Sequence, residues 1–271
     1  MNSLQRFTCK ATIIGLCLAA ASGAYAQVGS INSAVIIPTW NDIPGATRSP
    51  INSYPGSVTL SEAGVSAVSG YANRDTWMFS NNGSTAYAFQ NNDYFNASFT
   101  LTLTGSSTAP DLEAGWLFNN PSGSFGGDLQ LIVKNNGEIV QFGGPSFHGF
   151  SANDGGPLPN YVLGNTITLG LNYVLDPNTG MNAFQYSANG LFANTGTGGT
   201  TYYDLGPGAG PSPNSTLGGY LQIQNDPTNP NNTGTAVFGD ITITPAPVPE
   251  PATLALLGLG ILPLLLRRRR I

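Results

Sequence analysis

Charge is scarce in this sequence. Only 8% of its 271 residues are Asp, Glu, Lys or Arg, against about 25% in an ordinary globular protein. Helix-favouring Lys and Glu are correspondingly few, which argues against a sizeable helical bundle. Histidine occurs once, at His148, so a multi-histidine zinc centre is excluded. The two cysteines, Cys9 and Cys17, both lie near the N-terminus. The rest of the chain can form no disulfide, thiolate nucleophile or thiolate metal site. Low charge does not signal disorder here, because 41% of residues are hydrophobic and 10% aromatic. That supply can build a core. Gly (35) and Pro (20) are plentiful, and with the many Asn, Ser and Thr they favour strands and turns.

The few charges are unevenly placed. Residues 27–248 hold three bases (Arg48, Arg74 and Lys134) against thirteen acids, a formal net charge of −10. So acidic a body repels phosphate backbones, which argues against nucleic-acid binding.

The N-terminus reads as a secretory signal peptide. Arg6 and Lys10 form a basic region, residues 11–21 an apolar run, and Ala24 and Ala26 the small residues before a cleavage site at Gln27. The run is too short to span a bilayer comfortably. Leu16 is bulky where a lipoprotein cysteine needs a small neighbour, so a lipid anchor on Cys17 is disfavoured. Residues 1–26 are therefore expected to be removed during export through the Sec machinery.

The C-terminus carries a proline-rich stretch at 245–251, an apolar segment at 252–266, and Arg267, Arg268, Arg269 and Arg270. The prolines make a stiff spacer. Fifteen helical residues span about 22 Å, short of a hydrocarbon core of about 30 Å. Arginine snorkelling closes some of that gap. The arginine cluster is expected to stay cytoplasmic, leaving the body outside. Val248, Pro249, Glu250 and Pro251, with the apolar segment and the closing arginines, resemble the PEP-CTERM sorting signal of Gram-negative bacteria. The resemblance implies processing by an exosortase, a membrane-embedded cysteine transpeptidase, near Pro-Glu-Pro. It also implies a host that makes an exopolysaccharide matrix. Glu250 is then part of a recognition tag rather than a catalytic acid.

Between these ends the pattern is β. Residues 95–103 alternate, with Phe99, Leu101 and Leu103 on one face and Ser98, Thr100 and Thr102 on the other. Further strands are expected at 114–118, 128–133, 138–142, 166–173, 182–186, 220–224 and 236–244. Asn136-Gly137 is expected to form a type I′ hairpin turn. Residues 27–54 read as a leading edge strand plus loop. Many short antiparallel strands predict an all-β, two-layer sandwich or jelly roll over 27–244. The segments 127–133, 136–137, 167–173 and 184–190 resemble a concanavalin A-like lectin/glucanase sandwich. That resemblance implies a sugar site on the concave sheet.

Catalytic signals are sparse. Sugar hydrolysis needs two carboxyls flanking one bond, and the nearest approach is Asp111-Leu112-Glu113, which also reads as a solvated turn. His148 and the nearby Ser146 make no triad by closeness alone, and no nucleophile elbow is present. Asp154, Asp176, Asp204 and Asp226 sit in oxygen-rich loops able to ligate Ca²⁺, though Asx-turns are their ordinary role. No other cofactor is expected. Trp40, Trp77, Trp116, Tyr202 and Tyr203 are candidate sugar platforms. Trp116 reads as core, and the two tyrosines as the better candidates for exposure.

The sequence thus points to an exported, non-enzymatic sandwich that passes briefly through the inner membrane to the cell surface or matrix. Its expected role is structural, adhesive or carbohydrate-binding. An exported glycan-active enzyme, with carboxyls assembled from distant strands, is the alternative.

Overall fold

A computed structural model describes residues 27–247, apart from 92, 107–110, 122–127, 144–146, 195–198 and 212–213. Ala24, Ala26, Ser146, the sorting-signal residues Val248, Pro249, Glu250 and Pro251, the apolar segment and the four closing arginines lie outside the described residues. Gln27 begins a short 3₁₀ turn, Gln27–Ser30. Among the described residues no helix is long and apolar enough to cross a membrane.

Two antiparallel sheets form the sandwich. The seven-stranded sheet runs β1 (Ser33–Asn41), β5 (Ala72–Ser80), β15 (Thr216–Gln224), β7 (Leu112–Asn119), β8 (Leu129–Lys134), β9 (Ile139–Phe142), β10 (His148–Gly149). The nine-stranded sheet is built on β13 (Leu191–Phe192), β12 (Asn182–Ala188), β11 (Thr166–Leu175), β6 (Phe95–Gly105), β16 (Thr233–Pro245), β4 (Ser57–Ala63) and β2 (Thr47–Arg48). There β14 (Tyr203–Asp204) pairs with β12, and β3 (Ile51–Ser53) with β4. The all-β two-layer expectation holds.

The core lies between the sheets, fed by period-2 alternation. On β6 the buried residues Phe95, Ala97, Phe99, Leu101 and Leu103 alternate with half-buried polar ones. Aromatics dominate the centre. Phe99 and Trp116 have ring centres 4.1 Å apart, and Trp77 sits 5.6 Å from Phe238. Such pairs add about 0.5–1.5 kcal/mol each beyond area burial. The Trp116 Nε1–H donates to the Leu169 carbonyl at 3.1 Å, joining β7 of one sheet to β11 of the other. Gly219 makes this packing fit: a Cβ there would stand 2.5 Å from Trp77 Nε1 and 2.6 Å from the Phe238 ring.

The Asn-Gly dipeptides of two hairpins behave differently. At the β8–β9 hairpin only Gly137 has positive φ (97°), and its N–H bonds the Lys134 carbonyl at 3.1 Å. The turn is therefore a three-residue loop with glycine in the left-handed position, not the expected type I′ turn. The β12–β13 hairpin has positive φ at both Asn189 (49°) and Gly190 (78°), as type I′ requires. Residues 27–54 supply an edge strand as expected, β1, plus the short strands β2 and β3. Pro38 is tolerated in β1 because an edge strand need not donate on its outer side. A register shift follows between Pro38 and Trp40.

One charged cluster is buried between the layers. Arg48 Nη1 lies 3.2 Å from Asp75 Oδ1 and its Nε 3.4 Å from Glu62 Oε1. Asn73 Nδ2 donates to Glu62 Oε2 at 2.8 Å. Burial first, then the Asp75 charge, pushes the Glu62 carboxyl up to about 7, although the Asn73 hydrogen bond and Arg48 oppose this. The same outer-strand Arg48 donates from Nη2 to the Trp40 carbonyl at 2.7 Å.

Candidate functional site on the outer face of the seven-stranded sheet

Strand register places five side chains in one row across this sheet, on the face turned away from the core. Trp40 stands opposite Arg74, Arg74 opposite Gln222, Gln222 opposite Glu113, and Glu113 opposite Lys134. Directly paired residues share a face. The neighbouring positions on each strand (Asn73, Ile223, Leu112 and Val133) point the other way and are buried. Tyr220, two residues before Gln222, lies on the same side as the row.

Arg74 is the hub. Its guanidinium carbon lies 4.1 Å from the Trp40 ring centre and 4.5 Å from that of Tyr220. Its Nε donates to Gln222 Oε1 at 2.9 Å, and Nη2 is 3.8 Å from Glu113 Oε1. The Tyr220 hydroxyl is 2.9 Å from both Glu113 Oε1 and Gln130 Oε1. It has one proton. With that proton on Glu113, the Gln130 contact is made by the amide NH₂, turned toward the hydroxyl oxygen. Burial, then the Asp111 charge, raises the Glu113 carboxyl above the ordinary glutamate range, against the lowering pull of Tyr220 and Arg74. Arg74 is 7% exposed and Glu113 4%, whereas Trp40 is 40% exposed. The polar groups are thus tucked beneath an aromatic plate that faces solvent.

Glu113 lies inside β7, paired on both sides, so the solvated-turn reading of Asp111-Leu112-Glu113 is corrected for this residue: a carboxylate in mid-strand is hidden by its neighbours. Asp111, one residue ahead of β7, is held by Lys134 Nζ at 3.2 Å, and Lys134 also reaches Glu138 at 3.3 Å. Burial raises the Asp111 carboxyl, and Lys134 works against that. Both carboxyls are already engaged by cations.

The other candidates disperse. His148 pairs with Gln141, whose own partner Leu131 is in the core, so His148 faces away from the Arg74 row. Its ring meets Phe150 edge-on at 4.8 Å, and burial lowers its pKa. Trp77 and Trp116 are core residues. Tyr202 and Tyr203 are half-buried, Tyr203 because β14 pairs with β12. Asp176 accepts from the Asn178 N–H at 2.8 Å and Asp226 from the Thr228 N–H at 3.0 Å, both Asx-turns. Asp154 accepts from the Ser151 hydroxyl. Burial raises the Asp204 carboxyl, with Asp176 nearby. Among the described residues no group of three or more His, Cys, Asp or Glu is placed to hold a metal ion.

Motif reasoning missed Arg74, Gln222, Tyr220 and Gln130. A signal was present in 220–224, where polar Tyr220, Gln222 and Gln224 alternate with Leu221 and Ile223. The strand Ala72–Ser80 that carries Arg74 has no such alternation.

Several solved structures are similar to this chain at low identity. The alginate lyase of Corynebacterium sp. is 13% identical with a TM-score of 0.45, over 72% of this chain and 80% of that one. An endo-1,3-beta-glucanase from Streptomyces sioyaensis is 9% identical with a TM-score of 0.45, over 73% and 79%. The Emp47p carbohydrate recognition domain is 14% identical with a TM-score of 0.41, over 78% and 97%. None of these likenesses assigns an activity to this chain. No curated protein matches it by sequence. Residues 247–270 match the PEP-CTERM protein-sorting motif, which implies export and exosortase-dependent processing. The chain is therefore a carrier of the PEP-CTERM sorting motif.

Proposed function

We propose that the protein is an exported, exosortase-processed, non-enzymatic protein of the cell surface or extracellular matrix that binds carbohydrate on the outer face of its seven-stranded sheet. The observation that supports this reading is the Trp40–Arg74–Tyr220 stack with its flanking amides. A solvent-facing indole offers an apolar plate for the C–H side of a sugar, with the polar row of Arg74 and Gln222 continuing from it along the same face. The sorting motif supports delivery to where matrix polysaccharide is found. Two features favour binding over turnover. Asp111 and Glu113 are each engaged by a cation, and the lone histidine faces away from the row.

Glycan-array binding run beside hydrolysis and lyase assays tests the proposal. The expected result is retention of a glycan without product, lost in Trp40→Ala. Turnover that disappears in Glu113→Gln would replace this reading with the glycan-active enzyme. Blanks in every assay would leave a purely structural protein.

A further inference from the structure

The outer face of the nine-stranded sheet is made of hydroxyls. Along β6 the outward positions Asn96, Ser98, Thr100, Thr102 and Thr104 are all partly or fully exposed. In register beside them stand Thr166 and Thr168 on β11 and Thr235 and Thr242 on β16. Thr59 and Ser61 extend the array on β4. Hydroxyls pair between strands: Ser61 with Thr235 at 2.7 Å, Ser98 with Thr242 at 2.8 Å and Thr102 with Thr166 at 2.7 Å.

This face also carries little charge. The strands β4, β6, β11, β12 and β16 carry only two charged side chains. Glu62 is buried toward the core, Asp240 is exposed in the bulge between Gly239 and Thr242, and Asp204 of β14, at the edge, pairs with Ala183 of β12. The body outside these five strands carries −8 of its net charge of −10. A plane of sparse charge is set into an acidic protein.

We propose that this plane docks a neutral, hydroxyl-rich polysaccharide laid flat as an ordered array of chains. The site is separate from the Arg74 face and does not depend on the reading given for it. Strands stand about 4.8 Å apart, and same-face residues repeat about every 6.8 Å along each strand, so the hydroxyls form a lattice. Each bridging pair uses one proton, which leaves the other proton and several lone pairs for an outside partner. Threonine is stiff at χ1, so little side-chain freedom is lost when a ligand lands. Val237, 39% exposed and paired with Thr59 and Thr102, adds an apolar spot for sugar C–H groups. Each hydroxyl exchange contributes only about 0.5–1.5 kcal/mol net. Retention therefore needs many contacts at once, which an extended or insoluble ligand provides and a single sugar does not. An anionic polymer is repelled by the acidic body. A second copy would bury two sets of hydroxyls with little apolar area to drive it.

The test is retention of the purified full chain in mild detergent on microcrystalline cellulose, insoluble β-1,3-glucan and a pectate gel. The expected result is retention on at least one neutral solid, little changed by added salt because no charge takes part, and not competed by free glucose. Thr102→Lys with Thr235→Lys is expected to lower retention at least tenfold. Thr102→Val with Thr235→Val, isosteric and without the hydroxyls, is expected to lower it several-fold, and it decides the matter if circular dichroism shows the lysine variant misfolded. Full retention by the valine variant, retention confined to the pectate gel, or no retention on any solid would overturn the proposal. Loss in Trp40→Ala with retention in the valine variant would also overturn it, and would transfer neutral-glycan binding to the Arg74 face.

Discussion

Arg74 holds the Trp40 indole from below, its guanidinium carbon 4.1 Å from the ring centre. Trp40 lies on an edge strand and is 40% exposed, while Arg74 is 7% exposed on the next strand inward. The bulge after Pro38 resets the register so that the two stand opposite. Tyr220 supports the guanidinium from the other side at 4.5 Å. Cation–π contacts contribute about 0.5–2 kcal/mol each. The plate is therefore ordered before any ligand arrives, which lowers the cost of binding.

Removing the plate separates binding from folding. Trp40→Ala is expected to abolish detectable retention of the glycan found on the array, while unfolding stability falls by only about 1 kcal/mol, the worth of the lost cation–π contact. Trp40→Phe is expected to keep part of the affinity. Titration calorimetry beside urea unfolding reads both quantities. Unchanged affinity in Trp40→Ala would remove this face from the account.

The Arg74 row depends on Glu113 in a way that pH reveals. Its carboxyl is raised above the ordinary glutamate value, chiefly by burial. The folded state therefore holds this proton more tightly than the unfolded one, and the associated stability is present at low pH and lost as pH rises through the folded value. Glu62 behaves in the same direction, with a folded value of about 7 against 4.5. Stability is expected to fall as pH climbs from about 4.5 to 7. Glu62→Gln should flatten that slope and raise the thermal midpoint at pH 8 relative to the parent. A parent whose stability rises steadily across this window would contradict the placement of both carboxyls.

Much of the fold was legible because outward Ser and Thr alternate with inward Phe, Leu and Ile. Residues 95–103 and 236–244 show that pattern openly and became β6 and β16. The strand Ala72–Ser80 was not read, because it is buried on both faces and carries Arg74, Asp75 and Thr76 where a core strand is expected to be apolar. Those polar residues are there because one face builds the Arg74 row and the other the Arg48 cluster. Ser57–Ala63 alternates in burial, but Glu62 takes one of its inward positions. The candidate site was largely illegible. Its members come from five strands that are remote in sequence, and only register brings them into one row. Asn136-Gly137 misled because the dipeptide favours type I′ geometry without dictating it, and one extra loop residue shifted the glycine.

The two sheets are tied through Trp116. Its ring packs on Phe99 and its Nε1–H bonds the Leu169 carbonyl across the sandwich. Trp116→Ala is expected to cost about 3–5 kcal/mol through the cavity it leaves. Trp116→Phe should cost about 1–3 kcal/mol, largely the carbonyl left without its donor. Chemical denaturation checks both. A phenylalanine variant as stable as the parent would show that the inter-sheet hydrogen bond contributes nothing.

Asp154, Asp176 and Asp226, outside the strands, and Asp204, which the structure places in β14 rather than a loop, carry a separate expectation. Asp176 and Asp226 already accept backbone N–H groups two residues on. Adding millimolar calcium, or removing it with a chelator, is expected to leave the thermal midpoint unchanged. A calcium-dependent rise lost in Asp176→Asn would establish a site there.

The intact mass of the protein recovered from each fraction of its native host tests the central claim most directly. The account predicts a surface or extracellular species that begins at Gln27 and has lost its C-terminal tail from near Pro249-Glu250-Pro251, and a Glu250→Ala variant that stays in the membrane with its tail attached. Full-length chain from Met1 to Ile271, dissolved in the cytosol and unaffected by Glu250→Ala, would contradict it.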